Sequence, residues 1–190
     1  YSSAASDVYK RQELLGSDEQ KERWLSDLYA VRKTGVLAIT EPEAGSDVAQ
    51  GMRTTAQKVD GGWVLNGAKR WIGNATFSDY VAVYARDPED EQVKGFIVET
   101  DSEGYTATLM ENRIAIRAVQ NADITLDNVF VPDENKLANA NSFKDINKVF
   151  KSARSTVGWQ AVGTQMGALD VALNYADERL QFGKKISSFQ

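Results

Sequence analysis

Apolar and polar positions change rhythm three times along the chain, and each rhythm predicts a different kind of element. Residues 1–12 show no period and read as a disordered or foreign leader. Ser17 and Gln20 then stand at capping-box spacing, which predicts a helix beginning near Asp18 with Trp24, Leu25 and Leu28 on one face. Lys33-Thr34-Gly35 closes it, and Val36-Leu37-Ala38-Ile39 is an apolar run of strand length. From Arg53 to Pro132 the texture becomes short stretches of Thr, Val, Ile, Tyr and Trp between turn residues. Asp60-Gly61-Gly62 predicts a hairpin from Thr54–Val59 into Trp63–Leu65, and Asn66-Gly67 a further turn. Strands are predicted over 80–86, 94–99 and 122–130, with the acidic 87–91 as a solvated loop. After Pro132 apolar residues recur at three and four from about 142 to 180, the period of one long helix. Gly158, Gly163 and Gly167 each cost about 1 kcal/mol there relative to alanine, which predicts close approach of another helix or a ligand.

These rhythms divide the chain into 13–34, the end of a helical domain; 35–135, a β-domain; and 136–190, the start of a helical bundle. The predicted class is α+β, a central antiparallel β-sandwich or barrel flanked by helices.

Composition narrows the chemistry. With 22 basic and 27 acidic residues the chain has no cationic excess to hold a phosphate backbone, so nucleic acid is not a predicted partner. No stretch has the apolar length of a membrane span. Zero cysteine and zero histidine remove thiolate nucleophiles, Ser-His-Asp triads and ordinary zinc sites together, and no metal ligand set is predicted. An organic cofactor fits that constraint, because the protein then supplies orientation and electrostatics while the cofactor carries electrons.

Three strings offer such a site. Thr40-Glu41-Pro42-Glu43-Ala44-Gly45-Ser46-Asp47 leaves a strand and opens a loop with a glycine and hydroxyls. Lys69-Arg70-Trp71-Ile72-Gly73-Asn74 sets a flat indole near small residues, and Arg179, Phe182-Gly183 and Gln190 close the long helical pattern. Together they resemble the acyl-CoA dehydrogenase and acyl-CoA oxidase superfamily over about residues 14–190. Within it, Gly95-Phe96-Ile97-Val98 and Asn128-Val129-Phe130-Val131-Pro132-Asp133-Glu134 are similar to the branch holding glutaryl-CoA dehydrogenase and the short-chain peroxisomal acyl-CoA oxidases.

The resemblance implies FAD held without a covalent bond and α,β-dehydrogenation of an acyl-CoA to the trans-2-enoyl product. The cofactor-binding residues it implies are Leu37, Ile39, Thr40, Gly45, Ser46, Trp71, Ile72, Gly73, Arg179, Phe182 and Gln190. Ile39 and Thr40 would meet the ring edge, Gly45 and Ser46 the phosphates, and Trp71 the ring face. Arg179 and Gln190 would reach the cofactor of a neighbouring subunit, which implies a homo-oligomer, a tetramer or dimer of dimers. Ser46 and Arg154 are implied at the substrate. The base of this family comes from a later segment, so the chain reads as incomplete and no catalytic residue is named in it. Electron-transferring flavoprotein or molecular oxygen is the implied acceptor, and peroxisome, mitochondrial matrix or bacterial cytoplasm the implied compartment. Gly73 departs from the threonine usual after Trp-Ile; open space there predicts oxygen access and an oxidase. A non-catalytic acyl-CoA or protein-binding relative and a plain β-sandwich interaction module stand as alternatives. Asn74-Ala75-Thr76 matches a glycosylation sequon and is read as chance.

Overall fold

The structure, a computed structural model, describes residues 13–190 apart from the side chain at 152, so the predicted leader lies outside the described residues. The described residues divide into two compact units, one up to residue 149 and one over 150–190.

In the first unit, helix α1 (Asp18–Tyr29) opens on the predicted capping box: Gln20 N–H donates to Ser17 Oγ at 3.2 Å, and Ser17 N–H to Gln20 Oε1 at 3.0 Å. The same amide reaches across the fold, donating to the carbonyls of Glu134 at 2.8 Å and Lys136 at 2.7 Å and accepting from Ala138 N–H at 3.1 Å. One side chain thus starts a helix and pins it to a segment more than a hundred residues away. Trp24, Leu25 and Leu28 are buried as the period predicts.

Seven strands form one mixed sheet: β1 (Gly35–Ala38), β2 (Thr55–Val59), β3 (Gly62–Gly73), β4 (Tyr80–Arg86), β5 (Val93–Glu99), β6 (Tyr105–Leu109) and β7 (Asn121–Pro132). The order is β1-β4-β2-β3-β7-β6, with β5 on β4. The antiparallel expectation therefore needs correction at two pairings. β1 runs parallel to β4 over residues 80–83, and β2 takes over beside β4, also parallel, at Arg86. Handing one edge of β4 from β1 to β2 curls the sheet into a half-barrel around a core that includes Val36, Leu65, Val83, Phe96 and Ile124.

The predicted hairpin forms, Val59 facing Gly62, with Gly61 at φ 72°. Asn66-Gly67, in contrast, is not a turn. It lies inside a continuous β3, opposite a bulge in β7: between the Leu65–Val129 and Gly67–Leu126 pairs, Asn66 alone faces Asp127 and Asn128. Asn128 of β7, at φ 54°, lies opposite, and the two asparagines exchange bonds: Asn128 N–H to Asn66 Oδ1 at 2.8 Å, Asn66 Nδ2 to Asn128 Oδ1 at 3.2 Å. The extra residue flips strand parity, so that Ile124 and Leu126 before it and Val129 and Val131 after it all reach the core. Strand β6 was not predicted, because its residues are largely exposed and give no apolar alternation.

The long helix, α3 (Phe143–Glu178), starts where Ser142 Oγ accepts from Asp145 N–H at 3.4 Å. Its first turns belong to the first unit, where Ile146 and Val149 are buried. In the second unit Trp159, Val162, Met166, Leu169 and Leu173 repeat at helical spacing yet are 45–76% exposed, so the apolar seam has no partner within that unit. Among the described residues, and apart from the helix's own backbone, nothing lies within 4 Å of a Cβ built on Gly158, Gly163 or Gly167. A two-strand hairpin follows, Leu180–Gln181 against Lys184–Lys185, turning through Phe182 and Gly183 at φ 51° and 74°. Among the described residues no helix is long and apolar enough to cross a membrane.

Candidate cofactor site

The first two motif strings, thirty residues apart in sequence, are clamped together. Arg70 N–H donates to the Thr40 carbonyl at 2.8 Å, and the Lys69 ammonium donates to Glu41 Oε1 at 2.8 Å and to the Ile39 carbonyl at 3.4 Å. Lys69 is fully buried and the Glu41 side chain 4% exposed. The Glu41 carboxylate also accepts from Arg53 N–H at 2.6 Å and Thr54 N–H at 3.0 Å. Burial works to raise the Glu41 carboxyl, but the Lys69 charge and these donors outweigh it and hold the group below the usual range. Burial pulls the Lys69 ammonium down to about 8 against the opposing pull of Glu41. Sequence reasoning placed Glu41 only within a binding string; a carboxylate so enclosed is a staple, since all its acceptor capacity faces inward.

The loop beyond is tight. Glu41 N–H donates to the Ala44 carbonyl at 3.0 Å and Ala44 N–H returns to the Glu41 carbonyl at 3.4 Å, with Ala44 buried. Gly45 and Ser46 are thereby left exposed at the tip, and a Cβ on Gly45 would meet nothing within 4 Å. Behind them Asp47 caps the single-turn helix α2 (Val48–Gly51). Val36 and Ala38 point into the core while Leu37 and Ile39 are half-buried on the alternate face, as period-two geometry requires. Thr40 is half-buried, and neither its N–H nor its hydroxyl has a protein partner among the described residues.

At the end of β3 the register slips again, between Lys69 and Ile72. The slip sends Ile72 into the core, leaving only its main chain for any ligand, and throws Trp71 outward, 53% exposed. Trp71 adopts φ 64°, a conformation costing an L-residue about 1–2 kcal/mol, so the surrounding structure over-determines the indole's place. The Arg70 guanidinium lies 5.5 Å from the ring centroid and 3.7 Å from Asp123, bracing the indole by a cation–π contact.

Beside Trp71 opens a mostly apolar cavity of about 640 Å³. Its far wall is the 110–120 segment, in which Asn112 and Ile116 also take positive φ, 60° and 47°. Ile114 is 98% exposed and Ile116 74%, while Arg113 folds back onto the carbonyls of Ala115 and Ile116 at 3.5 and 3.3 Å. The segment is tied down at its base, where Asn74 N–H donates to the Gln120 carbonyl at 2.6 Å and Gln120 N–H to Asn74 Oδ1 at 3.0 Å. Sequence reasoning missed this wall, because it has no period and none of the three strings includes it. The same segment corrects the expectation at Gly73. A Cβ there would stand 3.0 Å from Val119 Cγ1, so the space left by the missing side chain is filled by Val119 rather than open.

Arg154, Arg179, Phe182 and Gln190 all fall in the second unit, 150–190. Phe182, 92% exposed, stacks edge-on with Phe189 at 6.3 Å, and Arg179 is tied by its main chain to Tyr175 and Ile186, both at 2.9 Å.

Two family descriptions match the chain: "Acyl-CoA dehydrogenase, middle domain" over residues 36–129 and "Acyl-CoA dehydrogenase, C-terminal domain" over 143–190. The chain belongs to the acyl-CoA dehydrogenase family. It is 38% identical to the caffeyl-CoA reductase–Etf complex subunit CarC of Acetobacterium woodii, covering 93% of this chain and 48% of that protein. It is 35% identical to benzylmalonyl-CoA dehydrogenase of Aromatoleum aromaticum, covering 94% and 48%. Among solved structures, glutaryl-CoA dehydrogenase from Mycobacterium smegmatis superposes with a TM-score of 0.92 at 36% identity, over 98% of this chain and 48% of that one. A glutaryl-CoA dehydrogenase from the same organism in complex with FADH2 gives 0.93 at 32% identity, again over 98% and 48%. The chain thus spans about half the length of these relatives.

Proposed function

We propose that this chain forms the flavin-binding part of an FAD-dependent acyl-CoA oxidoreductase, working within a longer polypeptide on an acyl thioester. One observation carries the reading: the clamp joining Thr40 and Glu41 to Lys69 and Arg70 sets two donors of Thr40, unengaged among the described residues, near an outward-facing, strained and braced Trp71. Those features fit an aromatic cofactor with an acceptor-rich edge, because the donors are preorganised and the indole offers flat apolar contact. When bound, FAD supplies the hydride acceptor for α,β-dehydrogenation to the trans-2-enoyl product. Thr40, with Ile39 and Leu37, lines the ring edge; Trp71 and the main chain of Ile72 and Gly73 cover the ring and exclude water. Gly45 and Ser46, exposed at the loop tip with free space above Gly45, receive the phosphates, and Ser46 lies toward the substrate. The α-proton is removed by a base outside this chain.

In the second unit, Arg179, Phe182 and Gln190 meet a cofactor held by another subunit, and Arg154 the substrate. The exposed seam from Trp159 to Leu173 supports this, since such an apolar stripe needs further helices to cover it, and a homo-oligomeric bundle supplies them. Val119 beside Gly73 favours electron-transferring flavoprotein over oxygen as acceptor, in keeping with the Etf-complexed relative.

The test is absorbance of the purified intact protein. Flavin bands that bleach anaerobically on adding an acyl-CoA, and recover faster with electron-transferring flavoprotein than with air, support the reading. A colourless protein that takes up no FAD refutes it; rapid recovery in air alone restores the oxidase.

A further inference from the structure

Lys69 is the one fully buried cation among the described residues, and it stands directly behind the proposed ring edge. Its ammonium touches two groups, Glu41 Oε1 at 2.8 Å and the Ile39 carbonyl at 3.4 Å. Those contacts flank Thr40 on both sides, while the Thr40 carbonyl is held by Arg70 N–H at 2.8 Å. Every main-chain acceptor around Thr40 is therefore engaged from behind, and its N–H and hydroxyl have no protein partner among the described residues. The Ile39 carbonyl and the Thr40 N–H belong to the same peptide group. A cation on the oxygen of a peptide draws charge through it and makes the N–H at its other end a stronger donor.

Stability alone is a poor reason for the pair. Burial lowers the Lys69 ammonium despite the Glu41 charge, while the same pairing helps hold Glu41 below its usual range, and neutral side chains of similar size commonly replace a buried ion pair without loss of stability. The fold could join the two strings without charge, since Arg70 already bonds Thr40. What only a cation adds is an electric field on the Ile39–Thr40 peptide.

We propose that Lys69 is a positioning residue for the flavin: with Glu41 fixing its place, it holds and polarises the Ile39–Thr40 peptide so that the Thr40 N–H binds the ring edge more strongly when the ring gains negative charge. This rests on the flavin reading above, and the ring edge rather than the phosphates is the part it serves. The affected quantities are retention of FAD and the balance between its oxidised and reduced forms.

Replacing Lys69 alone by methionine strands a buried carboxylate and threatens the fold, so the informative variant is Glu41→Gln with Lys69→Met in the intact protein. The glutamine oxygen still accepts from Arg53 or Thr54 N–H, and both charges are gone. Three readouts are compared with the wild type: melting of the apoprotein, FAD affinity by fluorescence quenching, and the reduction equilibrium of bound flavin against a reference dye. The apoprotein is expected to melt at or above the wild-type temperature. FAD affinity falls about tenfold or more, and the equilibrium shifts toward the oxidised form by a similar factor, the scale of one charge-assisted hydrogen bond. Unchanged affinity and equilibrium in a variant that folds would overturn the proposal while leaving the flavin reading intact. A double variant whose apoprotein fails to fold overturns it too, by showing that the pair holds the loop itself. Wild-type protein that binds no FAD overturns both together.

Discussion

Substituting Gly67 by alanine tests whether the stretch of β3 that faces the β7 bulge and the cofactor clamp are one mechanical unit. Gly67 sits at φ 147°, and a Cβ built there lies 2.7 Å from Thr54 Cα and 2.6 Å from Thr54 Oγ1. The Cα cannot rotate away, so either β3 or the Thr54 backbone must move. Thr54 N–H is one of the donors that fix the Glu41 carboxylate, at 3.0 Å, and displacement of Thr54 loosens the Glu41–Lys69 clamp. An unfavourable φ costs about 1 kcal/mol and forced overpacking about 1–3 kcal/mol, so Gly67→Ala loses about 2–4 kcal/mol in all. For a domain of this size that lowers the melting temperature by about 5–15 °C. Gly45→Ala is the matched control, with nothing within 4 Å of the added carbon and no left-handed φ; its stability changes by less than about 0.5 kcal/mol. Urea denaturation followed by tryptophan fluorescence measures both. A Gly67→Ala protein as stable as the control, with unchanged FAD affinity, would refute the mechanical coupling.

Gly73→Ala strains the contact with Val119, and Val119→Ala relieves it, so a double-mutant cycle on urea stability gives a favourable coupling of about 1 kcal/mol; strict additivity contradicts the filled gap. Gln20→Ala removes a helix cap and three contacts to residues 134–138, for a loss of about 2–3 kcal/mol in the same assay, whereas Gln20→Glu keeps the cap acceptor but not the donors to Glu134 and Lys136 and lies between. The pH dependence has a definite sign. Lys69 loses its proton near 8 when folded and near 10.5 when unfolded, so the unfolded chain holds more protons in that window and this group adds stability as pH rises from 8 to 10.5. The Glu41→Gln/Lys69→Met protein lacks that gain, and the wild type should pull ahead of it across the window. Glu41 acts at the acid end: its folded value is depressed, so its contribution is present above 4.5 and lost as pH falls below it.

The elements with a strong local signal were legible in the chain. The capping box at Ser17 and Gln20, the hairpin at Gly61 and the strand at 80–86 follow from short-range chemistry and stand where the pattern puts them. The long period-3.6 stretch is the helix Phe143–Glu178. Departures occur where tertiary pairing overrules local preference. Asn66-Gly67 has turn chemistry, but nine residues of β3 pair with β7, so β3 runs on through both residues and β7 takes up the mismatch as a bulge at 127–128. The parallel edge of β4 could not be read, because register between strands distant in sequence leaves no local mark. At the site, the strings announced which residues assemble but not how. Glu41 and Lys69 lie 28 residues apart and look like two ordinary charges in sequence; only the fold buries them against each other. Val119 and the 110–120 wall were invisible for the same reason, being brought to Gly73 and Trp71 by the β3–β7 pairing.

FAD titration of the intact apoprotein with tryptophan or glycine at position 71 tests the cradle most directly. Glycine accepts φ 64° without strain, so Trp71→Gly removes the indole while the apoprotein keeps or slightly improves its stability. The account predicts near-stoichiometric FAD uptake by the wild type and affinity at least about tenfold weaker for Trp71→Gly at equal melting temperature, the scale of a lost aromatic contact. Equal affinity in the two proteins would contradict it.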